Sequence, residues 1–106
     1  MDETLKELAS IQADLCKLFG NASRILILWS LSDRELPVTE IADEVGISLQ
    51  NTSQHLALLK ENNIVSARRD GQTIYYRIAE NEWLKCCPIL TKPLSSVVDL
   101  KEYSKP

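Results

Sequence analysis

The sequence predicts a mainly α-helical domain carrying one small antiparallel β-hairpin, and three observations lead there. Apolar side chains recur at spacings of three and four over the first 60 or so residues, the period of helices with one buried face. A glycine turn at "VGIS" joins two short helical patterns. Farther on, Asp70-Gly71 stands between two strand-like runs, "IVSARR" and "TIYYRI", a strong local signal for a tight hairpin. At 106 residues the chain suits a single domain whose core is adequate but not generous, so a partner subunit would help complete it.

Residues 3 to 18 place Leu5, Leu8, Ile11 or Ala9, Leu15 and Leu18 on one helical side and Glu3, Lys6, Glu7 and Asp14 on the other, with Gly20 and Asn21 ending the helix. Residues 22 to 32, "ASRILILWSLS", are apolar nearly all round, as a helix at the centre of the core should be. Pro37 breaks the chain, and Thr39 is the expected cap of "EIADEV", where Ile41, Ala42 and Val45 form a small apolar face. Gly46 suits the left-handed position just past that helix, and Ser48 suits the cap of the next. Two short helices meeting through three residues make a helix-turn-helix over residues 38 to 62. At 100° per residue, the second helix turns Leu49, Thr52, Leu56 and Leu59 to one side and Gln50, Asn51, Ser53, Gln54 and Ala57 to the other.

With Asp70 and Gly71 as the turn centre, Arg69 is expected opposite Gln72, Ala67 opposite Ile74 and Val65 opposite Tyr76. Val65, Ala67, Ile74, Tyr76 and Ile78 then pack on the helices, leaving Arg68, Thr73, Tyr75 and Arg77 facing water or phosphate and Arg69 at the tip. Residues 80 to 106 read as one or two helices interrupted near Pro88 and Pro93, with apolar side chains that need a partner.

Hydrophobic residues at 44% and charged residues at 25% are ordinary for a globular protein, and no apolar run approaches the roughly 20 residues that span a bilayer. The acidic start "MDETLKELAS" lacks the basic and apolar regions of a signal peptide, so a cytoplasmic, reducing location is expected. One histidine and three glycines assemble neither a Ser-His-Asp set nor a phosphate-cradling loop, which argues against an enzyme. The net charge of −3 is unevenly spread. Residues 1 to 47 hold nine acidic and four basic side chains, whereas residues 48 to 79 set Lys60, Arg68, Arg69 and Arg77 against Glu61 and Asp70. The one basic segment is therefore the one with the polar helix face. A duplex meets that local field rather than the global charge.

The major groove of B-form DNA admits one α-helix, and side chains that both donate and accept hydrogen bonds can distinguish bases there. Gln50, Asn51, Ser53 and Gln54 are the candidate base or phosphate contacts, beside Ser48 at the helix start. Lys60, Arg68, Arg69 and Arg77 are the candidate backbone contacts. A polar helix face is most often merely solvated; the glycine turn before it and the arginine-tipped hairpin after it favour DNA. A winged-helix protein-docking module without DNA binding is the reading from another class.

From "LFGNASRILILWSL" through "ELPVTEIADEVGISLQNTSQHLALLKENNIVSARRDGQTIYYRI", about residues 15 to 79, the chain resembles the ArsR/SmtB family of winged helix-turn-helix repressors. The resemblance implies a wing at residues 63 to 79 and a homodimer joined through helical arms at 1 to 19 and 80 to 106. It also implies binding to an imperfect palindrome in double-stranded DNA, with release when an effector binds. His55 falls where relatives also carry histidine, and packing or a phosphate contact suits it better than metal ligation. The cysteine pair that many members use for metal falls here on "ELPVTEI", with Pro37 and Thr39 in place of the thiols.

Cys16, Cys86 and Cys87 remain, an odd number that argues against a disulfide framework. A free cysteine is most often a small buried hydrophobe. Yet adjacent thiols at 86 and 87, joined by Cys16 from the first helix, would suit a trigonal site for arsenite or another thiophilic ion, and some arsenite-sensing relatives place thiols in their end helices. Oxidation or persulfide chemistry would use the same residues, with Lys85 favouring the thiolate. No cofactor is otherwise required.

Overall fold

A computed structural model describes residues 1–80. The elements run α1 (Glu3–Leu18), α2 (Ala22–Ser30), β1 (Leu36–Pro37), α3 (Val38–Val45), α4 (Leu49–Glu61), β2 (Val65–Asp70) and β3 (Thr73–Ile78). The expected C-terminal arm, with Cys86 and Cys87, lies outside the described residues.

Helix α1 has the predicted bounds, capped by Asp2, whose side chain accepts from the Thr4 N–H at 3.1 Å. Its apolar stripe divides in two: Leu15 and Leu18 enter the core, while Leu5, Leu8 and Ile11 stay exposed. Helix α2 stops at Ser30, two residues short of expectation, because the N–H groups of Leu31 and Ser32 close the tighter turn there. Ile27 and Leu28, wholly buried, make α2 the centre of the core with Leu31, Ile41, Leu56, Leu59 and Ile64.

The cap expected at Thr39 is not formed. Helix α3 begins two residues earlier, with Pro37 as N-cap and no side-chain capping bond, and Thr39 is an exposed first-turn residue. Proline at φ −74 and ψ 159 supplies the extended entry instead. The same residue ends β1, a two-residue strand the sequence did not signal, which pairs antiparallel with β3 through Leu36↔Tyr76 and Pro37↔Tyr75. The sheet therefore has three strands in the order β1-β3-β2. Pro37, which has no N–H to donate, sits on an edge strand, where a missing donor costs little.

The hairpin register is two residues away from the expected one. Asp70 pairs with Thr73, Arg69 with Ile74, Ala67 with Tyr76 and Val65 with Ile78. Gly71 and Gln72 thus form the turn, and Gly71, at φ 63, takes the first central position, where a positive φ is cheapest without a Cβ. A shift of two leaves every side chain on its expected face, since strand faces alternate with period two. Burial fails at one place: Ile74, expected to pack on the helices, is exposed because the distal half of the hairpin projects past them.

Candidate nucleic-acid interface

The two helices of the central motif meet as anticipated. Gly46 adopts φ 80 and ψ 34, the left-handed conformation, and the Ala42 carbonyl accepts from the N–H groups of both Gly46 and Ile47. Ser48 then caps α4: its backbone is extended and its hydroxyl accepts from the Asn51 N–H at 3.1 Å. Thr52, fully buried, donates its hydroxyl to the Ser48 carbonyl at 2.8 Å, so the first turn is held from inside as well.

Leu56 and Leu59, both at zero exposure, anchor α4. Burying each contributes about 1.5–3 kcal/mol. The opposite face is open: Gln50, Asn51, Ser53, Gln54 and Ala57 are all exposed. The side chains of Gln50, Ser53 and Gln54 have no hydrogen-bond partner among the described residues. One expected member of the buried face departs from it, since Leu49 is 51% exposed. As the first helical residue it lies beyond the reach of the core that covers Thr52 and Leu56.

His55 is half-buried at the edge of this face, and its Nδ1 accepts from Arg24 Nε at 3.2 Å. Arg24 also donates from an Nη to the Leu18 carbonyl at 3.3 Å, so one side chain ties the end of α1 and the start of α2 to α4. Burial, and then the Arg24 guanidinium, push the His55 pKa below its ordinary value. Because Nδ1 accepts from Arg24, a neutral imidazole in this contact carries its proton on Nε2. Sequence reasoning missed Arg24, although a lone cation in the otherwise apolar "ASRILILWS" was a signal that it had a partner to find.

The basic residues divide by environment. Arg68 donates from Nε to both carboxylate oxygens of Glu35 at 2.9 Å and lies 4.8 Å from the centroid of the Tyr75 ring, so its charge is largely spent within the protein. Arg77 donates to the Ser66 hydroxyl at 3.3 Å. Lys60 and Arg69 are exposed and form no ion pair among the described residues. Cys16 is exposed on α1 with its thiol free, and Gln12 Nε2 lies 3.6 Å from the sulfur.

Residues 21–67 match the family model of the bacterial regulatory protein, arsR family. The crystal structure of NolR from Sinorhizobium fredii aligns with a TM-score of 0.73 at 35% identity, covering 94% of this chain and 93% of NolR. The chain belongs to the arsR family. Among other relatives of this ArsR-family protein, the HTH-type transcriptional regulator KmtR of Mycobacterium tuberculosis is 44% identical over 72 residues. Those residues make 68% of this chain but only 55% of KmtR, and the matched stretch likewise spans less than two thirds of NolR of Rhizobium meliloti and of HlyU of Vibrio cholerae. The solution structure of a homodimeric winged helix-turn-helix DNA-binding domain from Mycobacterium bovis, a possible ArsR-family transcriptional regulator, aligns over 100% of this chain and 95% of its own, at 29% identity and TM-score 0.73. Within this family fold, α3 and α4 are the helix-turn-helix and β2 and β3 are the wing.

Proposed function

We propose that the protein is a homodimeric, sequence-specific DNA-binding transcriptional repressor of the cytoplasm, which reads an operator with the outer face of α4 and steadies it with the wing. The observation that carries this reading is the open face of Gln50, Asn51, Ser53 and Gln54 on a helix whose other side is locked into the core. Amides and hydroxyls without partners among the described residues are poised to bond base edges, and the capped start of α4 presents N–H groups and a positive dipole end to a phosphate. Lys60 in the last turn of α4 and Arg69 on the wing supply exposed charge that forms no ion pair among the described residues. The exposed Leu5, Leu8 and Ile11 of α1 favour a second copy as the partner that covers them. No described helix is long and apolar enough to cross a membrane.

The signal belongs to the same proposal: arsenite, another thiophilic ion or a thiol-modifying agent acts at Cys16, Cys86 and Cys87 and releases the operator. The free, exposed thiol of Cys16 on the arm helix supports it.

One experiment serves both parts. Fluorescence anisotropy with genomic promoter fragments is expected to show binding whose sequence preference is blurred by Gln54→Ala. Adding arsenite is expected to release the wild type but not the Cys86→Ser, Cys87→Ser variant. Failure to bind any fragment at low salt would replace this reading with a protein-docking role, and equal release of both proteins would remove the cysteines as the switch.

A further inference from the structure

The proposed DNA-binding role of α4 extends to particular bases, and the extension rests on that role. From Leu49 to Leu59, α4 contains no Asp, Glu, Lys or Arg. In the major groove guanine is read mainly by a forked Arg or Lys, and cytosine by an accepting Asp or Glu. Adenine is read by Gln or Asn bonded to N6 and N7, and thymine by apolar contact with its C5 methyl. The outer face over residues 49 to 59 carries the second pair of tools and lacks the first, and Lys60 and Glu61 lie in the last turn of the helix.

Leu49 completes that set. Sequence periodicity assigns it to the core, yet the structure leaves it exposed beside the amides. Leu49, Gln50, Ser53, Gln54 and Ala57 together line one open depression of about 620 Å³. Their spacing makes them a single stripe along the helix. From Leu49 to Ala57 the stripe runs about 12 Å, the length of three or four base-pair steps. A single exposed leucine needs no explanation; one at the end of an otherwise uncharged reading face, with Ala57 at the other end and glutamines between, matches the alternation of methyl groups and adenine edges in A·T pairs.

We infer that α4 reads A·T base pairs, with Gln50 and Gln54 bonded to adenine and Leu49 and Ala57 resting on thymine C5 methyls, so that Leu49 is a specificity-determining residue.

The test uses the full chain. A randomised duplex pool is carried through rounds of selection, and the selected duplex is then remade with deoxyuridine replacing thymidine one position at a time, which removes only the methyl. A·T pairs are expected in each half-site, and at one or more positions uracil is expected to weaken wild-type binding about fourfold. At the Leu49 position, Leu49→Ala is expected to bind the two duplexes equally, so that the two changes are not additive. Ala57→Ser is expected to do the same at a second position. Leu49 is exposed, so its variant retains the fold. Tight binding to half-sites of G·C pairs, or a uracil effect of the same size in both variants as in the wild type, would overturn the inference while leaving DNA binding intact. No enrichment of any duplex would overturn it together with the DNA-binding role on which it rests.

Discussion

Arg24 supplies a hydrogen bond that a protonated His55 could not accept, because the imidazolium carries a proton on both nitrogens. The contact therefore has a pH dependence whose sign is set by the lowered pKa. The folded protein holds His55 neutral at pH values where the unfolded chain, titrating near its ordinary 6.5, has begun to take up a proton. Stability from this contact is complete above about 6.5 and is lost as pH falls from there through the lowered folded value. Urea midpoints of the wild type are expected to drop across that window. His55→Gln keeps an acceptor for Arg24 without a titrating group and is expected to drop less. Parallel curves for the two proteins would show that His55 does not set the dependence. At this scale Gly46 and Ser48 were legible in the sequence, because a left-handed backbone and an N-cap are local demands with few residue types to meet them. Arg24–His55 and Arg68–Glu35 join residues more than 30 positions apart, and no local pattern encodes such a pairing.

The wing shows what an element's sequence can and cannot specify. Alternation along "IVSARR" and "TIYYRI" set the two faces, and those faces hold. Register depends on which residues form the turn, and "DGQT" offers two adjacent choices that keep the same faces. The structure takes Gly71-Gln72, which adds the Asp70↔Thr73 pair at the end of the ladder and places Arg69 one pair back from the turn. Strand β1 was unreadable because two residues carry no period and one of them is proline. The wing also sorts its arginines. Arg69→Ala is expected to weaken binding to all duplexes about equally and to reduce the salt slope by roughly one. Arg68→Ala is expected to change that slope less, since Glu35 already neutralises its partner. Equal slope changes for the two variants, measured by titrations over a range of salt, would contradict this division.

Across residues 1–80, the helices, their order and the central place of α2 followed from hydrophobic period, because most core positions recur every three or four residues along their own helix. The stripe of α1 was equally plain, but period cannot say what covers it, and in the protomer its first half remains open. Two copies packed through such arms would hold two α4 helices at a fixed separation, which is how a symmetric protein matches two half-sites. The function proposed for the molecule depends above all on the open face of α4 meeting DNA. Titrating the isotope-labelled full chain with its selected duplex, and following backbone amide shifts, tests this without any mutation. The largest changes are expected in residues 48 to 57 and 68 to 74; a duplex that binds while those amides stay still, with the changes confined to α1, would contradict it.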